Sequence, residues 1–398
     1  MAKKNNLNFF FSIFKSNQKI ELQSICYGFN IFFPSLILIF YSLLGEYSIA
    51  AEIGIVSIIS QTLTQIFSSN ARSIIIYKEN FNLLKSFYFF RLFLVFPMLL
   101  ILYFIIFQNN FANSFFLLSL SGIILSQWIF EIQLLKHEMK KTFKIFYIYS
   151  FISFLFLIFL LIFFILRLDV SHVLLAYLVF LITYLCYEHI FTDLTKFHYK
   201  NLIIFFMHNL SSSSFASSFS ITIANLIWRA TTILFCGKIL AGIYFSSFAI
   251  GSLPGTLFNN TFGPSIIKNK IKLNFFFYYL QFAFFLIALC FLFISIQGGK
   301  NIFSDPLSIQ FFTIGISMIG SFFMVKGMIS RQKKLQNKKN NNLVLRVDVF
   351  YATIVAITVP TLFVAGTETL VSLSFLVSSL IAWMVFDIFY EKIKLFFR

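Results

Sequence analysis

The chain has 398 residues, of which 59% are hydrophobic and only 11% are charged, and its mean hydropathy is +0.88. A soluble domain with this balance would have too few polar side chains to cover its surface, so the composition excludes a soluble globular protein and indicates a membrane protein. The net charge of +17 would also suit a nucleic-acid-binding protein, and the positions of the basic residues decide between these two classes.

Apolar stretches of about 20 residues, the length that crosses a bilayer as a helix, recur twelve times along the chain. In chain order they span residues 22–44, 47–67, 87–107, 111–135, 145–166, 170–190, 212–236, 239–262, 274–296, 307–329, 347–365 and 369–389. The preceding residues, 1–21, contain the short apolar run FFFSIF without a small-residue cleavage site after it, so we predict a cytoplasmic segment and not a signal peptide. This segment either lies along the membrane surface or forms a mobile tail.

Lysines and arginines fall almost entirely in one of the two alternating sets of connections between these stretches. Only Arg167, Lys238 and Lys300 fall in the other set, and Arg229 lies inside the seventh stretch. Cytoplasmic connections of membrane proteins carry an excess of Lys and Arg, so this distribution predicts that both termini are cytoplasmic. The positive charge therefore reports topology, and we expect no nucleic-acid partner.

The second half of the chain partly repeats the first. A shift of 192 residues places Gly45 on Gly237, and FSSNARSIII (67–76) on NNTFGPSIIK (259–268). Repeats with an even number of spans keep the same orientation and are related by an axis along the membrane normal. The predicted fold is an all-α integral membrane protein with about twelve transmembrane helices. They form two six-helix lobes, residues 22–200 and 201–398, related by a pseudo-two-fold axis along the membrane normal.

Several function classes find no support in the sequence. The predicted extracytoplasmic connections are short: Gly45–Glu46, Gln108–Asn110, Arg167–Asp169, Gly237–Lys238, 297–306 and 366–368. They leave no external loop for an enzyme that polymerises or transfers sugars. A nucleotide-binding motif is missing, which opposes ATP-driven transport, and the cysteines and histidines do not have the spacing of a metal, disulfide or catalytic site. We therefore predict no catalytic residue, metal or cofactor, and the remaining class is a secondary transporter or flippase.

Two stretches resemble those of a known transporter family: GEYSIAAEIGIVSIISQTLTQIFSSNARSIII (45–76) and GKILAGIYFSSFAIGSLPGTLFNNTFGPSIIKN (237–269). They are similar to Wzx-type polysaccharide (O-antigen) flippases, which belong to the multidrug/oligosaccharidyl-lipid/polysaccharide (MOP) exporter superfamily. The six-plus-six layout is similar over nearly the whole chain, although several relatives have fourteen spans.

The resemblance implies a substrate and a pathway. The substrate would be an oligosaccharide linked to undecaprenyl (polyprenyl) diphosphate, moved from the cytoplasmic to the periplasmic leaflet of the bacterial inner membrane by alternating access. In that family the first, second, seventh and eighth helices line a central cleft. The implied partners are the lipid-linked glycan, membrane lipids, and a glycan polymerase or glycosyltransferases.

Arg229 is the first candidate for substrate binding. A charge near the bilayer centre costs about 2.5–3.5 kcal/mol on insertion scales, and it is usually functional or internally paired. In a wet cleft, a guanidinium would offer bidentate donors to diphosphate oxygens. The other candidates are cations and amides of the cleft-lining spans: Arg72, Lys268, Asn70, Asn225, Asn259 and Asn260. Arg72 has the alternative role of an ordinary positive-inside anchor.

Arg229 also has a candidate partner within the chain. Glu52 lies at a similar depth from the outer end of the second span, so the two residues would form a gate pair across the lobes. Glu131 and Glu188 lie near inner span ends, where we expect them to extend towards the interface or to pair with loop lysines.

Gly251, Pro254 and Gly255 concentrate helix-breaking residues at the end of the eighth span. They predict a bend there, which is either a hinge of the transport cycle or a static kink. The alternative function is a small-molecule (drug or cation) antiporter of the multidrug-exporter branch. That function would require a buried acidic or aromatic cation site, for which the spans offer Glu52 and abundant Phe.

Overall fold

The structure is a computed structural model that describes residues 26, 32–68, 72, 75, 81–109, 111, 113–140, 142, 144–190, 213–256, 275–297, 305–335 and 341–388. Within these residues the chain is helical almost throughout, and we number the helices in chain order. They are α1 Phe32–Leu43, α2 Tyr47–Ser68, α3 Phe81–Gln108, α4 Ser114–Met139, α5 Lys144–Ile165, α6 Ser171–Ile190, α7 and α8 (the parts of Ser213–Gly251 before and after Gly237), α9 Phe275–Gln297, α10 Pro306–Leu335, α11 Asn341–Val371 and α12 Ser374–Trp383. A π-helical turn, Met384–Ile388, follows α12 directly.

These helices have the lengths and composition of membrane spans. Among the described residues, seven helices are long and apolar enough to cross a membrane, and four shorter apolar helices accompany them. One of the seven, Phe215–Gly251, changes direction at Gly237 and so supplies both α7 and α8. The predicted fold class, an all-α membrane protein, is confirmed. The predicted N-terminal segment, 1–21, lies outside the described residues.

Gly45 and Gly237, which the sequence repeat aligns, both adopt positive φ angles, +83° and +74°. Glycine reaches this region without the steric cost that a β-carbon brings. Gly45 turns the chain between α1 and α2. Gly237 ends α7, and α8 follows directly after the kink at this residue, as the sequence predicts.

The predicted connection at 366–368 is wrong. Helix α11 continues to Val371, and the turn to α12 lies at Ser372 and Leu373. A single glycine lowers helix stability by only about 1 kcal/mol and does not end a helix by itself. Here Thr369 donates its hydroxyl to the Gly366 carbonyl at 3.1 Å, which supports the continuing turn.

Each half of the chain has its own apolar core. The core of α1–α6 is centred on α4, most of which is buried, and it includes Phe33, Leu120 and Phe130. The core of α7–α12 includes Trp228, Tyr244 and Val359. Residues Ala241 and Phe245 of α8 are buried in the first core and so connect the two halves.

We call the surface where α1 and α2 meet α7, α8 and α10 the seam. Its outer end is the end with the turns at Gly45 and Gly237, which the charge distribution predicts to be extracytoplasmic. Its inner end is the opposite end, where α2 stops at Ser68 and α7 begins at Ser213.

Candidate functional site

The outer half of the seam contains Arg229. It lies eight residues before Gly237 on α7, about 12 Å along the helix at 1.5 Å per residue, and its side chain is half-buried. Its Nη1 donates a hydrogen bond to the main-chain carbonyl of Gly54 in α2 at 2.7 Å. The guanidinium carbon lies 5.3 Å from the centroid of the Phe245 ring of α8, within cation–π range.

Glycine at position 54 makes this arrangement possible. A β-carbon there would lie 2.4 Å from Cδ2 of Phe245, so a larger residue would displace the ring on which Arg229 rests. The missing side chain therefore lets α8 approach α2 closely, and it leaves the Gly54 carbonyl within reach of α7.

The contacts that the structure shows for Arg229 within the described residues are this carbonyl and this ring, and neither is an anion. A guanidinium has five N–H donors in a planar fork that matches phosphate geometry. Because one donor is on a neutral carbonyl and the side chain is half-buried, Arg229 keeps donors for an anionic ligand in the seam.

Glu52 lies two residues before Gly54, the residue that binds Arg229, but the carboxylate of Glu52 has a different partner. Its buried carboxylate accepts a hydrogen bond from Nζ of Lys238 at 3.0 Å, and the Lys238 side chain is 55% exposed. Lys238 is the first residue after the kink at Gly237, which the sequence placed in an extracytoplasmic connection. The predicted gate pair of Glu52 with Arg229 thus stays a prediction, since each residue has another partner in this structure.

A buried polar cluster also joins the two halves. The hydroxyls of Ser42 and Ser246 lie 2.8 Å apart, and Nε2 of Gln310 donates to them at 3.1 and 3.3 Å. All three residues are at most 1% exposed. Sequence analysis missed this cluster because serine is common throughout these helices; the amide of Gln310 inside an apolar span was the available signal.

Helix periodicity explains why α8 supplies so many of these contacts. Lys238, Gly242 and Ser246 recur at four-residue spacing, and residues four apart lie on one face of an α-helix. A β-carbon on Gly242 would lie only 1.9 Å from the Tyr47 carbonyl oxygen, so the two backbones touch at this point.

The remaining predicted site residues are only partly described. Asn225 is exposed and lies one turn before Arg229 on α7. Arg72 contacts Glu138 with Nη2 at 3.4 Å, which agrees with an inner-end anchor and leaves the predicted role in substrate contact untested. The candidates Asn70, Asn259, Asn260 and Lys268 lie outside the described residues.

The predicted hinge residues have packing contacts. A β-carbon on Gly251 would lie 2.2 Å from Cβ of Ser317 in α10, and the Gly255 amide donates to Oγ of Ser321 at 2.8 Å. Both glycines therefore allow the end of α8 to approach α10 closely. Pro254 lies in the short helical turn between them, and a hinge at this segment stays a prediction.

Glu131 has a partner that sequence analysis did not propose. Its Oε2 lies 2.7 Å from Nη1 of Arg91, whose side chain is completely buried in α3. The sequence predicts that Glu131 extends towards the interface or pairs with loop lysines, whereas its partner Arg91 belongs to a helix. Arg91 is instead drawn inside because Glu131 of α4 compensates its charge, as a buried ion requires. The side chain of Glu188 lies outside the described residues.

The described residues hold no group of three or more His, Cys, Asp or Glu side chains that could bind a metal ion. Cys26 and Cys236 are buried, Cys186 and Cys290 are exposed, and all four are free thiols.

Comparison with known proteins identifies the fold. Neither a family model nor a curated protein matches the chain. Two solved structures do. One is an outward-facing multidrug resistance MATE-family transporter of the MOP superfamily, with a TM-score of 0.59, 14% identity, and coverage of 95% of this chain and 96% of that one. The other is a MOP-superfamily transporter from Pyrococcus furiosus, reported with a binding pocket of reverse polarity; its TM-score is 0.54, its identity 14%, and the coverage 96% and 97%.

At this identity the likeness shows the fold alone. The chain has the fold of MOP-superfamily transporters over nearly its whole length.

Proposed function

We propose that the chain is a secondary transporter that moves a polyprenyl-diphosphate-linked oligosaccharide from the cytoplasmic to the periplasmic leaflet of the bacterial inner membrane by alternating access. The observation that carries the proposal is Arg229, a cation within a membrane span, located at the seam and bonded to a neutral carbonyl of the opposite half. The fold of the transporter neighbours supports the transport class.

The chemistry of the substrate accounts for this arginine. A diphosphate must cross a medium of low dielectric constant, where a fixed guanidinium stabilises it by charge-assisted, bidentate hydrogen bonds. The Gly54 carbonyl is a weaker partner than a diphosphate because it carries no net charge. When substrate enters the seam, Arg229 exchanges the carbonyl for phosphate oxygens, and the contact of α7 with α2 is released. Binding and opening of the seam are thereby coupled.

The test is complementation of a deletion strain. We expect Arg229→Ala to abolish glycan export while the protein remains in the membrane, and lipid-linked glycan to accumulate on the cytoplasmic leaflet. Arg229→Lys should restore only part of the export, because an ammonium lacks the planar fork. The matched control is Arg167→Ala, which removes an exposed arginine at the α5–α6 turn and should export normally. Normal export by Arg229→Ala would refute the proposal.

A small-molecule antiporter is the second candidate, and one observation favours it. Glu52 is a buried carboxylate at the seam whose partner Lys238 is largely exposed, so a cationic drug could replace the ammonium on Glu52. The neighbour named as a multidrug resistance transporter shares the fold. In this case the deletion strain would have unaltered surface glycan but changed drug sensitivity, and Glu52→Gln would reproduce that change.

The flippase proposal also implies partners. Membrane lipids surround the spans, and the enzymes that assemble and polymerise the glycan, glycosyltransferases and a polymerase, would supply and consume the substrate. Its orientation in the inner membrane, with both termini cytoplasmic, follows from the charge distribution.

A further inference from the structure

At the inner end of the seam, α2 ends and α7 begins beside clusters in which a buried arginine binds a carboxylate. A serine near that end of each helix accepts a hydrogen bond from the arginine, Ser68 on α2 and Ser217 on α7. The two clusters belong to different halves of the chain.

The cluster of the first half joins α2, α3 and α4. Arg91 is fully buried, and its Nη1 contacts both the main-chain oxygen of Trp128 and Oε2 of Glu131. Its Nη2 donates to Oγ of Ser68 at 3.4 Å, and the Trp128 indole N–H donates to the same oxygen at 2.7 Å. The arginine also lies over the Trp128 ring, 4.8 Å from its centroid. The last residue of α2 is therefore held by two donors.

The cluster of the second half joins α7, α10 and α11. Arg331 binds Asp348 through two parallel contacts, Nε to Oδ1 and Nη2 to Oδ2, both at 2.8 Å. Nη2 also donates to Oγ of Ser217 at 2.9 Å, and the Ser217 hydroxyl donates to Oδ2 of Asp348. All three side chains are buried. The first turns of α7 are thus fixed to a bidentate ion pair.

An aromatic contact joins the two anchored helices. Phe67, the neighbour of Ser68, has its ring centroid 6.1 Å from that of Phe215, which lies two residues before Ser217. Phe67 also contacts Phe90 of α3 at 6.2 Å, and Phe215 contacts Phe219 at the same distance. A row of four rings thus crosses the inner end of the seam from one half to the other.

We infer that Arg91 and Arg331 are positioning residues, which fix the inner ends of α2 and α7 through Ser68 and Ser217 so that Phe67 and Phe215 close the transport pathway on the inner side. The inference rests on the proposed function insofar as it assigns the seam to a transport pathway. Its contacts, however, are properties of the chain that need no substrate.

The energetic reason lies in the nature of the contacts. An aromatic pair adds little stability beyond area burial, so it would hold two free helix ends weakly. A hydrogen bond to a charged group is stronger than one between neutral groups, and each serine takes part in such bonds. The clusters therefore set the position of each helix end within its own half, and the weak ring contact can open and close between two rigid supports.

Disulfide cross-linking tests the closure. Phe67→Cys and Phe215→Cys are introduced together into the full chain with its four native cysteines replaced by alanine. A protease site placed within residues 191–212 separates the two halves after oxidation. We expect the oxidised pair to hold both fragments together in native membranes. Failure of the pair to cross-link would overturn the inference.

The serines test the positioning role because their removal leaves both ion pairs in place. In the double-cysteine background we expect Ser217→Ala and Ser68→Ala each to slow cross-linking about tenfold, and Ser217→Thr, which keeps a hydroxyl, to restore the rate. The matched control is Ser220→Ala on α7, whose hydroxyl bonds to the Ala216 carbonyl of its own helix. Equal cross-linking rates in Ser217→Ala, Ser68→Ala and Ser220→Ala would refute the positioning role.

The outcomes separate this inference from the proposed function. Cross-linking requires no substrate, so its result does not depend on the transported molecule. If the cysteine pair cross-links as expected while Arg229→Ala exports normally, only the proposed function is refuted. Conversely, a defect of Arg229→Ala in export together with unchanged cross-linking in the serine variants would refute only the inference.

Discussion

Gly242→Ala should open the outer end of the seam. The β-carbon of the alanine would lie 1.9 Å from the Tyr47 carbonyl oxygen, 2.8 Å from its carbonyl carbon and 3.1 Å from its Cα. All three atoms belong to the backbone of α2, so no side-chain rotation relieves the clash. Ordinary contact begins near 3.4 Å, and the two helices must therefore move about 1.5 Å apart.

This separation exceeds what the neighbouring polar contacts tolerate. The hydrogen bond from Arg229 to Gly54 at 2.7 Å and the contact between Ser42 and Ser246 at 2.8 Å would both exceed hydrogen-bond range after a shift of this size. A hydrogen bond of a charged group contributes about 1.5–3 kcal/mol and a neutral one about 0.5–1.5 kcal/mol. The assay below replaces Ser246, so only the Arg229 bond counts in the comparison. Its loss of about 1.5–3 kcal/mol would shift the closed–open equilibrium at the outer end by roughly 10- to 100-fold.

The assay is the reaction of a cysteine at position 246 with a membrane-impermeant maleimide. Ser246→Cys is buried in the closed seam and should react slowly, whereas the same cysteine combined with Gly242→Ala should react faster by one to two orders of magnitude by the estimate above. The matched control is Gly122→Ala in α4, where the new β-carbon meets only the flexible Leu178 side chain, at 3.0 Å. Equal labelling with Gly242→Ala and with Gly122→Ala would refute the close-approach argument.

Two further predictions concern the inner end and the topology. Arg331→Met alone should lower the thermal stability of the purified protein strongly, because it leaves the buried Asp348 carboxylate unpaired at a cost of about 3–5 kcal/mol. Adding Asp348→Leu should restore most of that stability in a thermal-unfolding assay, and no recovery would contradict the ion-pair explanation. Reporter fusions at Lys140 and Lys334 should read cytoplasmic, while fusions at Asn109 and Gly299 should read extracytoplasmic, because Lys and Arg concentrate on one side. A cytoplasmic signal at Asn109 would contradict the twelve-span topology.

The fold could be predicted from the sequence because it depends on long-range averages. Apolar length identifies spans, and the two glycines at a shift of 192 residues mark the corresponding turns, which both have positive φ. Local boundaries were less accurate. The sequence predicts a connection at 366–368, although α11 continues through Gly366 to Val371. A glycine shows that a special backbone angle is possible but does not show that the chain uses it.

The seam contacts could not be predicted in the same way. They depend on the rotation of each helix about its axis, which nearly uniform apolar composition does not reveal, since Phe, Ile and Leu occur on all faces. Lys238 was assigned to a loop, and its pair with Glu52 spans 186 residues. Arg229 was identified because a cation inside a span is rare. Its contact with a carbonyl was beyond prediction, because every residue offers one.

Contacts within and between the halves differ in strength, and this difference bears on the proposed transport cycle. Within each half a buried arginine is held by a carboxylate, Arg91 by Glu131 and Arg331 by Asp348. Both side chains of the Arg331–Asp348 pair are buried, and breaking such a pair costs about 3–5 kcal/mol. Between the halves, the polar contacts of the described residues include serine hydroxyls, an amide, an arginine on a carbonyl, and an ion pair whose lysine is 55% exposed.

Each of these inter-half contacts contributes roughly 1–3 kcal/mol or less, so thermal motion and a competing ligand can break them one by one. Each half should therefore move as a rigid body, and the seam between them should open first. In the proposed function, a diphosphate entering at Arg229 would displace the Gly54 carbonyl, a smaller barrier than separating the buried Arg331–Asp348 pair. The alternating access that we propose would use this order of strengths, because among the described residues the contacts between the halves are weaker than the buried Arg331–Asp348 pair within the second half.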